Sequence, residues 1–251
     1  MTLTELDEYL CEYLKIAVFP DDPSKNGIQV ESGGEIKKIA FAVDACMETI
    51  RRAAALKADM LFVHHGILWK DIVPIRGVMY NRVKELIQNN IALFACHLPL
   101  DAHHECGNNY GLARMLNMQN LEPFGEWKGY TIGVKGTLPA PLTPEGIINK
   151  LFPGARGDCV VLPFGKEKLA NIAIVSGGGA EKMDQACDAG ADAFITGEIG
   201  HTQYHYAEER RITVIAAGHY VTETAGVQLL MKKIEREFGI ETIFIDVPTG
   251  M

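Results

Sequence analysis

The chain has 251 residues, 47% hydrophobic and 22% charged, the make-up of an ordinary globular protein with core enough for one large or two medium domains. A formal charge of −8 and a pI near 5.5 argue against a nucleic-acid surface: phosphate neutralisation needs clustered Lys and Arg, and the runs here (Lys37-Lys38, Arg51-Arg52, Lys232-Lys233) are isolated. Six scattered cysteines without a Cys-x-x-Cys read as reduced thiols, and with no signal-peptide pattern and no long apolar run the expectation is a cytoplasmic protein with no membrane partner.

Residues 2–15 carry an amphipathic helical pattern, with Leu3, Leu6, Leu10 and Leu14 near one face and Thr2 or Thr4 as cap. A loop at 19–27 is punctuated by Pro20, Pro23 and Asn26-Gly27. Residues 36–43 then read as a core strand closed by Asp44, and 47–56 as a covering helix. Leu61-Phe62-Val63-His64-His65-Gly66 reads as a second buried strand, which completes a βαβ unit with a parallel sheet. Ligands of such sheets sit beyond the carboxyl ends of the strands, where the two imidazoles emerge. Neighbours on a strand point to opposite faces, so both rings reach one cleft only where the strand gives way to a loop, which Gly66 permits. This pair is read as part of a metal site.

Residues 67–79 carry Trp69, Lys70, Pro74, Arg76 and Gly77 and extend the rim beside that site. Arg76 and Lys70 suit an anionic substrate group, and an oligomer contact through Trp69 is the alternative. A helix is expected at 80–90 and a strand at 91–96 that delivers His97. Pro99 stands between His97 and Asp101, which suggests a turn wrapped round an ion and not one helical face. His103 and His104 lie in a polar loop and read as solvated, and 110–116 as helical. Residues 125–129 mark the expected junction, giving a first α/β repeat at 1–125 and a second at 126–251 whose C-terminal segment is able to pack with the first domain.

In the second half, 131–138 alternates as a strand, Thr143-Pro144-Glu145 opens a helix, and 158–162 is another short strand. Ser176-Gly177-Gly178-Gly179 links a strand to a helix, so Gly177 and Gly178 are candidates to bind a substrate phosphate through backbone N–H groups. Tight packing is the alternative, since the Gly-Lys-Ser/Thr of a Walker A motif is absent. His201 and His205 would share one face of a surface helix. Thr222 would cap a last helix at 223–238 with Glu223 in its first turn, followed by a strand at 240–247.

The two halves repeat. Shifted by 133 positions, residues 39–66 lie ungapped on 172–199 with six of 28 identical: Ile39, Ala40, Glu48, Ala53, Ala58 and Asp59. At an offset of 122, residues 93–101 lie on 215–223, so each half has a further strand ending in His-x-x-x-carboxylate, His97/Asp101 and His219/Glu223. Packed about a pseudo-twofold axis, such halves would gather six ligand-type side chains in one cleft. The expected fold class is therefore α/β, with two similar α/β domains from an internal duplication, sheets covered by helices and a metal cleft between them.

The segments Asn26-Gly27-Ile28-Gln29-Val30, Val63-His64-His65-Gly66, His97-Leu98-Pro99-Leu100-Asp101, Gly107-Asn108-Asn109, Thr196-Gly197-Glu198 and Gly218-His219-Tyr220-Val221-Thr222-Glu223 resemble those of the GTP cyclohydrolase 1 type 2 homologues, the Nif-three-like proteins. The resemblance runs nearly from end to end. It implies a pair of interlinked, similar α/β domains and a dinuclear metal centre with ligands on His64, His65, Asp101, His219 and Glu223 and with His97 close by. It also implies assembly into a ring-shaped homohexamer, a trimer of dimers, and a histidine matching His205 near the cleft.

Imidazoles and carboxylates without thiolate suit Zn, Mn or Fe(II), and five or six donors are too many for one four-coordinate ion. Two divalent ions bridged by Asp101 or Glu223 fit the count and point to hydrolysis by an activated water. Glu198, which aligns with His65, is the candidate proton shuttle. The resemblance suggests a nucleotide as the small-molecule substrate, and a non-enzymatic metal-binding regulatory, interaction or scaffold protein is the alternative.

Overall fold

Apolar runs of strand length separated by amphipathic stretches dictate the order of elements in the computed structural model, which describes residues 1–71, 73–153 and 159–251. In chain order these begin with α1 (Leu3–Tyr13), β1 (Gly27–Val30), β2 (Lys38–Asp44), α2 (Met47–Ala55), β3 (Met60–His65), α3 (Val78–Gln88), β4 (Ala92–Ala95), α4 (Leu98–Ala102) and α5 (Asn108–Met115). There follow β5 (Gln119–Trp127), β6 (Tyr130–Leu142), α6 (Pro144–Leu151), β7 (Val160–Pro163), β8 (Leu169–Val175), α7 (Met183–Asp188), β9 (Ala193–Thr196) and α8 (Gln203–Arg210). The chain ends with β10 (Thr213–Ala216), α9 (His219–Thr222), α10 (Thr224–Phe238) and β11 (Glu241–Phe244). Asp158, the first residue of the strand expected at 158–162, lies outside the described residues, and the observed β7 begins at Val160. Thr2 caps α1 in a capping box with Glu5, and Thr143 caps α6 with Pro144 at its start, where the missing N–H is no loss. Among the described residues no helix is long and apolar enough to cross a membrane.

Two compact units emerge, one of Met1–Leu100 with Val227–Val247, the other of Asp101–Gly226 with Pro248–Met251. The break expected at 125–129 is instead a hairpin, since β5 and β6 pair antiparallel out to Trp127 and Tyr130. Lys128 and Gly129, between those two, both take positive φ, 49° and 86°. A two-residue loop of that hand matches the twist of the strands it joins, so Gly129 marks a tight turn and not a linker.

In the first unit the strand order is β1-β4-β3-β2-β11, with β1 antiparallel at one edge and the other pairs parallel. Phe244, Phe41, Phe62 and Phe94 occupy successive rungs on one face. Neighbouring rings of the last three sit 5.3 and 5.4 Å apart, with each of those three side chains almost wholly buried. The opposite face, with Ala40, Ala42, Leu61, Val63 and Leu93, packs with Ile50, Ala53 and Leu86 of the covering helices.

The second unit's sheet runs β5-β6-β8-β9-β10-β7, and its three parallel strands repeat the first unit's pattern. Ile172 pairs with Ala193 as Ile39 pairs with Met60, and Ile174, Ile195 and Ile215 stand on the rungs held by Phe41, Phe62 and Phe94. Two details of the repeat are chemical. Asp59 accepts hydrogen bonds from the backbone N–H groups of Lys37 and Lys38, and Asp192, 133 residues on, accepts them from Ala170 and Asn171. Lys57 and Gly190, also 133 apart, both end a helix in the left-handed conformation, φ 55° and 72°. In the third strand the match differs by one residue from the expected offset of 122. Phe94 and Ile215 occupy equivalent rungs of the two sheets, which places Gly218 where the first unit has His97 and puts His219 one residue further on.

Two consequences are measurable by urea unfolding. A Cβ at Gly190 would meet nothing within 4 Å, so Gly190→Ala should cost about 1 kcal/mol from backbone conformation alone, whereas Lys57→Ala should change the midpoint little. Burial works against the Asp192 carboxylate, but the backbone N–H of Asn171, Lys166 and the N–H of Ala170 hold its pKa below the usual value. The contribution of Asp192 is therefore complete above the unfolded pKa of about 3.9 and is lost as pH falls through the lower folded value. The stability gap between wild type and Asp192→Asn should stay constant from neutral pH to about 5 and narrow below about 4; a gap that widens in acid would contradict this.

Candidate metal centre

Parallel pairing ends β2, β3 and β4 at one edge of the first sheet, and there the histidines collect. His64 and His65 are the last two residues of β3, and His97 follows β4 by two positions. His64 is fully buried, and its Nδ1 lies 2.9 Å from the carbonyl oxygen of Cys96. A carbonyl only accepts, so Nδ1 carries the hydrogen, and in the neutral ring that leaves the lone pair on Nε2. His65 Nδ1 lies 2.9 Å from Asp44 Oδ1 at the end of β2, and His97 Nδ1 lies 2.8 Å from Asp22 Oδ1. The three rings have centroids 4.6, 5.1 and 5.6 Å apart, and one ligand atom from each lies within 4.8 Å of the others. Trp69 packs edge-on against His97 at 5.2 Å.

The expected loop at Gly66 is not what lets both rings converge, because β3 continues through His65. Glycine is required for space: a Cβ would lie 2.4 Å from the Gln29 amide and 2.6 Å from Ala95 Cβ. Gln29 fills that gap and accepts the N–H groups of Ile67 and Leu68 at 2.7 and 3.0 Å.

In the second unit the candidates are Asp101, His219 and Glu223, with an oxygen of Asp101 within 4.8 Å of one of Glu223. His97-x-x-x-Asp101, expected as a turn, enters the short helix α4, in which Pro99 occupies the first turn without losing a hydrogen bond. Asp101 is buried, and its Oδ1 accepts from Asn108 Nδ2 and Ser176 Oγ, each at 2.9 Å. His219 opens α9, with Nδ1 on Glu198 and Nε2 3.2 Å from Glu223 Oε1. The hydrogen bond to Glu223, opposed by burial and aided by the charges of Glu223 and Glu198, pushes the His219 pKa up to about 9. Glu223 is not in the first turn of the last helix as expected but in the step between α9 and α10. Thr222 does not cap that helix: its hydroxyl lies 2.9 Å from the carbonyl oxygens of both Gly218 and His219, with one hydrogen to give to them, and accepts the N–H of Gly177.

That last bond also bears on the glycine loop, where the N–H groups of Ser176 and Gly177 are committed to Asn109 and Thr222. Gly177 has φ 59°, and a Cβ on it would lie 2.0 Å from Glu223 Oε1 and 3.0 Å from His219 Nε2, so the absence of a side chain makes room for the acid. Gly178 is exposed. Arg76 is exposed ahead of α3, and Lys70 is exposed too. His205 is exposed on α8 beside Glu208, whereas His201 precedes that helix and does not share its face. His104 stacks on Tyr110, and His103 Nδ1 receives the N–H groups of Glu105 and Cys106, so that pair is structural.

Sequence reasoning missed Asp22 and Asp44 as partners of the histidines. Asp44 carried a signal, as the last residue of the strand beside β3. Asp22 carried only its place in a turn-rich loop, 75 residues from the histidine that it holds. Burial works against the Asp22 carboxylate, yet His97, Asn26 and the N–H of Ser24 keep its pKa below the usual value.

The sequence matches the Duf34/NIF3 (NGG1p interacting factor 3) family over residues 1–250. A Pyrococcus abyssi protein named GTP cyclohydrolase 1 type 2 homolog is 46% identical over 252 residues and covers both chains in full, and a Treponema pallidum protein of the same name is 41% identical over 286, also in full. The solved structure of TTHA1606 from Thermus thermophilus superposes with a TM-score of 0.92 at 39% identity over the whole of both chains. That of reduced HcgD from Methanocaldococcus jannaschii does so with a TM-score of 0.85 at 26% identity over 98% of each. With its histidines and acids carried on the same full-length α/β framework as these relatives, the chain belongs to the Duf34/NIF3 family.

Proposed function

We propose that His64, His65, His97, Asp101, His219 and Glu223 together hold two divalent ions, of zinc, iron or manganese, and that the protein is a metal-dependent hydrolase. The observation that supports this most is the treatment of the histidines. All four present Nδ1 to a carbonyl or carboxylate oxygen, the arrangement that orients an imidazole to bind a metal through Nε2 and raises its basicity. The donor set is imidazole and carboxylate without thiolate, which suits these ions, and six donors exceed what one four-coordinate ion takes. Bound there, such ions would supply Lewis acidity and lower the pKa of a water to near neutrality.

The chain's own groups would do the rest. Asp101 and Glu223, whose oxygens approach within 4.8 Å, are the candidates for a bridging carboxylate. Glu198 holds His219 while more than half exposed, so it can pass a proton to solvent, the shuttle role. Arg76 and Lys70 are the candidates to meet an anionic substrate, and the name shared by the relatives points to a nucleotide. Six chains in a ring are the proposed assembly.

The test is metal content by mass spectrometry, followed by turnover of nucleotides and generic phosphoesters by the metal-loaded chain. Two ions per chain and a turnover lowered about 100-fold or more in Glu223→Ala are expected, with Glu198→Gln lowering turnover at unchanged metal content. Full metal loading with no turnover of any substrate would favour a regulatory or interaction role, and no bound metal would remove the proposal. Gly177→Ala, whose Cβ would displace Glu223, should lower metal occupancy, while Gly178→Ala, with only an ordinary 3.9 Å contact to His219, should not.

A further inference from the structure

The Asp22 side chain is 1% exposed and accepts four hydrogen bonds. Oδ1 takes Ser24 N at 3.0 Å and His97 Nδ1 at 2.8 Å, and Oδ2 takes Asn26 Nδ2 at 2.9 Å and Leu98 N at 3.0 Å. Asn26 in turn accepts His97 N at 2.9 Å. A buried carboxylate with four donors on two oxygens is held in one orientation, and it presents only acceptor lone pairs to the imidazole. The same loop is tied to the segment after β3, because Ser24 bridges to Trp69 and Lys25 N donates to Leu68 O at 3.0 Å. Trp69 then closes on His97 edge-on. The three histidines differ in this respect: His64 has a neutral carbonyl, His65 has Asp44, which is 34% exposed, and His97 alone has a buried anion.

We propose that Asp22 is a positioning residue for the metal centre, fixing His97 as the Nδ1–H tautomer with Nε2 as the ligand atom and making it the most strongly donating imidazole of the first unit. The proposal rests on the reading of His97 as a ligand, and one part of its test does not. In the chelator-stripped full chain at pH 8, long-range proton–nitrogen NMR of ring-labelled histidines should show His97 in the Nδ1–H tautomer, and Asp22→Asn should show a mixture. Zinc titration against a competing chelator should show one of two sites weakened about 10- to 100-fold in Asp22→Asn, and less in Asp44→Asn.

A wild-type His97 in the Nε2–H form overturns the proposal whatever the variants do. So does a folded Asp22→Asn chain with a lowered melting temperature but wild-type zinc affinity and tautomer, because a purely structural loop anchor would behave that way. A wild-type chain that binds no zinc while His97 keeps the Nδ1–H tautomer would defeat the metal reading and leave Asp22 as the residue that sets the tautomer.

Discussion

The candidate metal centre depends on oxygen atoms that face the Nδ1 side of imidazole rings. A histidine has two nitrogens and a ring free to turn, and neither defines a ligand until one nitrogen is committed. At His64 the carbonyl of Cys96 does this, at His65 and His97 the carboxylates of Asp44 and Asp22, and at His219 that of Glu198. The strand ends supply the geometry: β2, β3 and β4 run parallel and stop together, so the group that holds each first-unit ring comes from a neighbouring strand or from the chain that follows or faces it.

The second unit uses the same scaffold for a different set of donors. The rungs of its parallel strands match those of the first, and Asp59 and Asp192 tie down equivalent strand starts. At the ends the chemistry changes. Glu198 stands 133 residues after His65 and holds a histidine instead of being one, and Gly177 stands 133 residues after Asp44 and gives up its side chain to admit Glu223. One further residue, Gly218, shifts His219 out of strand register and into a helical turn. The strand frames thus match while the side chains at their ends differ.

Much of this was legible in the sequence because it is local. The apolar runs gave the strands, and Thr2 and Thr143 gave helix starts, since a cap and its partner lie three residues apart. Other features are ambiguous where two local signals compete. Pro99 suggested a turn but sits where a helix tolerates it, and Gly125 with Gly129 looked like a linker but makes a hairpin. The one-residue slip at Gly218 was hidden because the histidines align better than the strands that deliver them. Asp22 was out of reach, because its four donors come from Ser24, Asn26, His97 and Leu98, and two of those meet it only in the fold.

The claim to test is the proposal that these held imidazoles and buried acids are ligands of a pair of metal ions. Crystals of the protein grown with zinc and measured on both sides of the zinc absorption edge test it most directly. The expected result is two anomalous peaks about 3.5–4 Å apart, with Nε2 of His64, His65, His97 and His219 and oxygens of Asp101 and Glu223 as ligands. Peaks confined to other side chains, or zinc bound through Nδ1 with the Asp22 and Asp44 contacts broken, would contradict it.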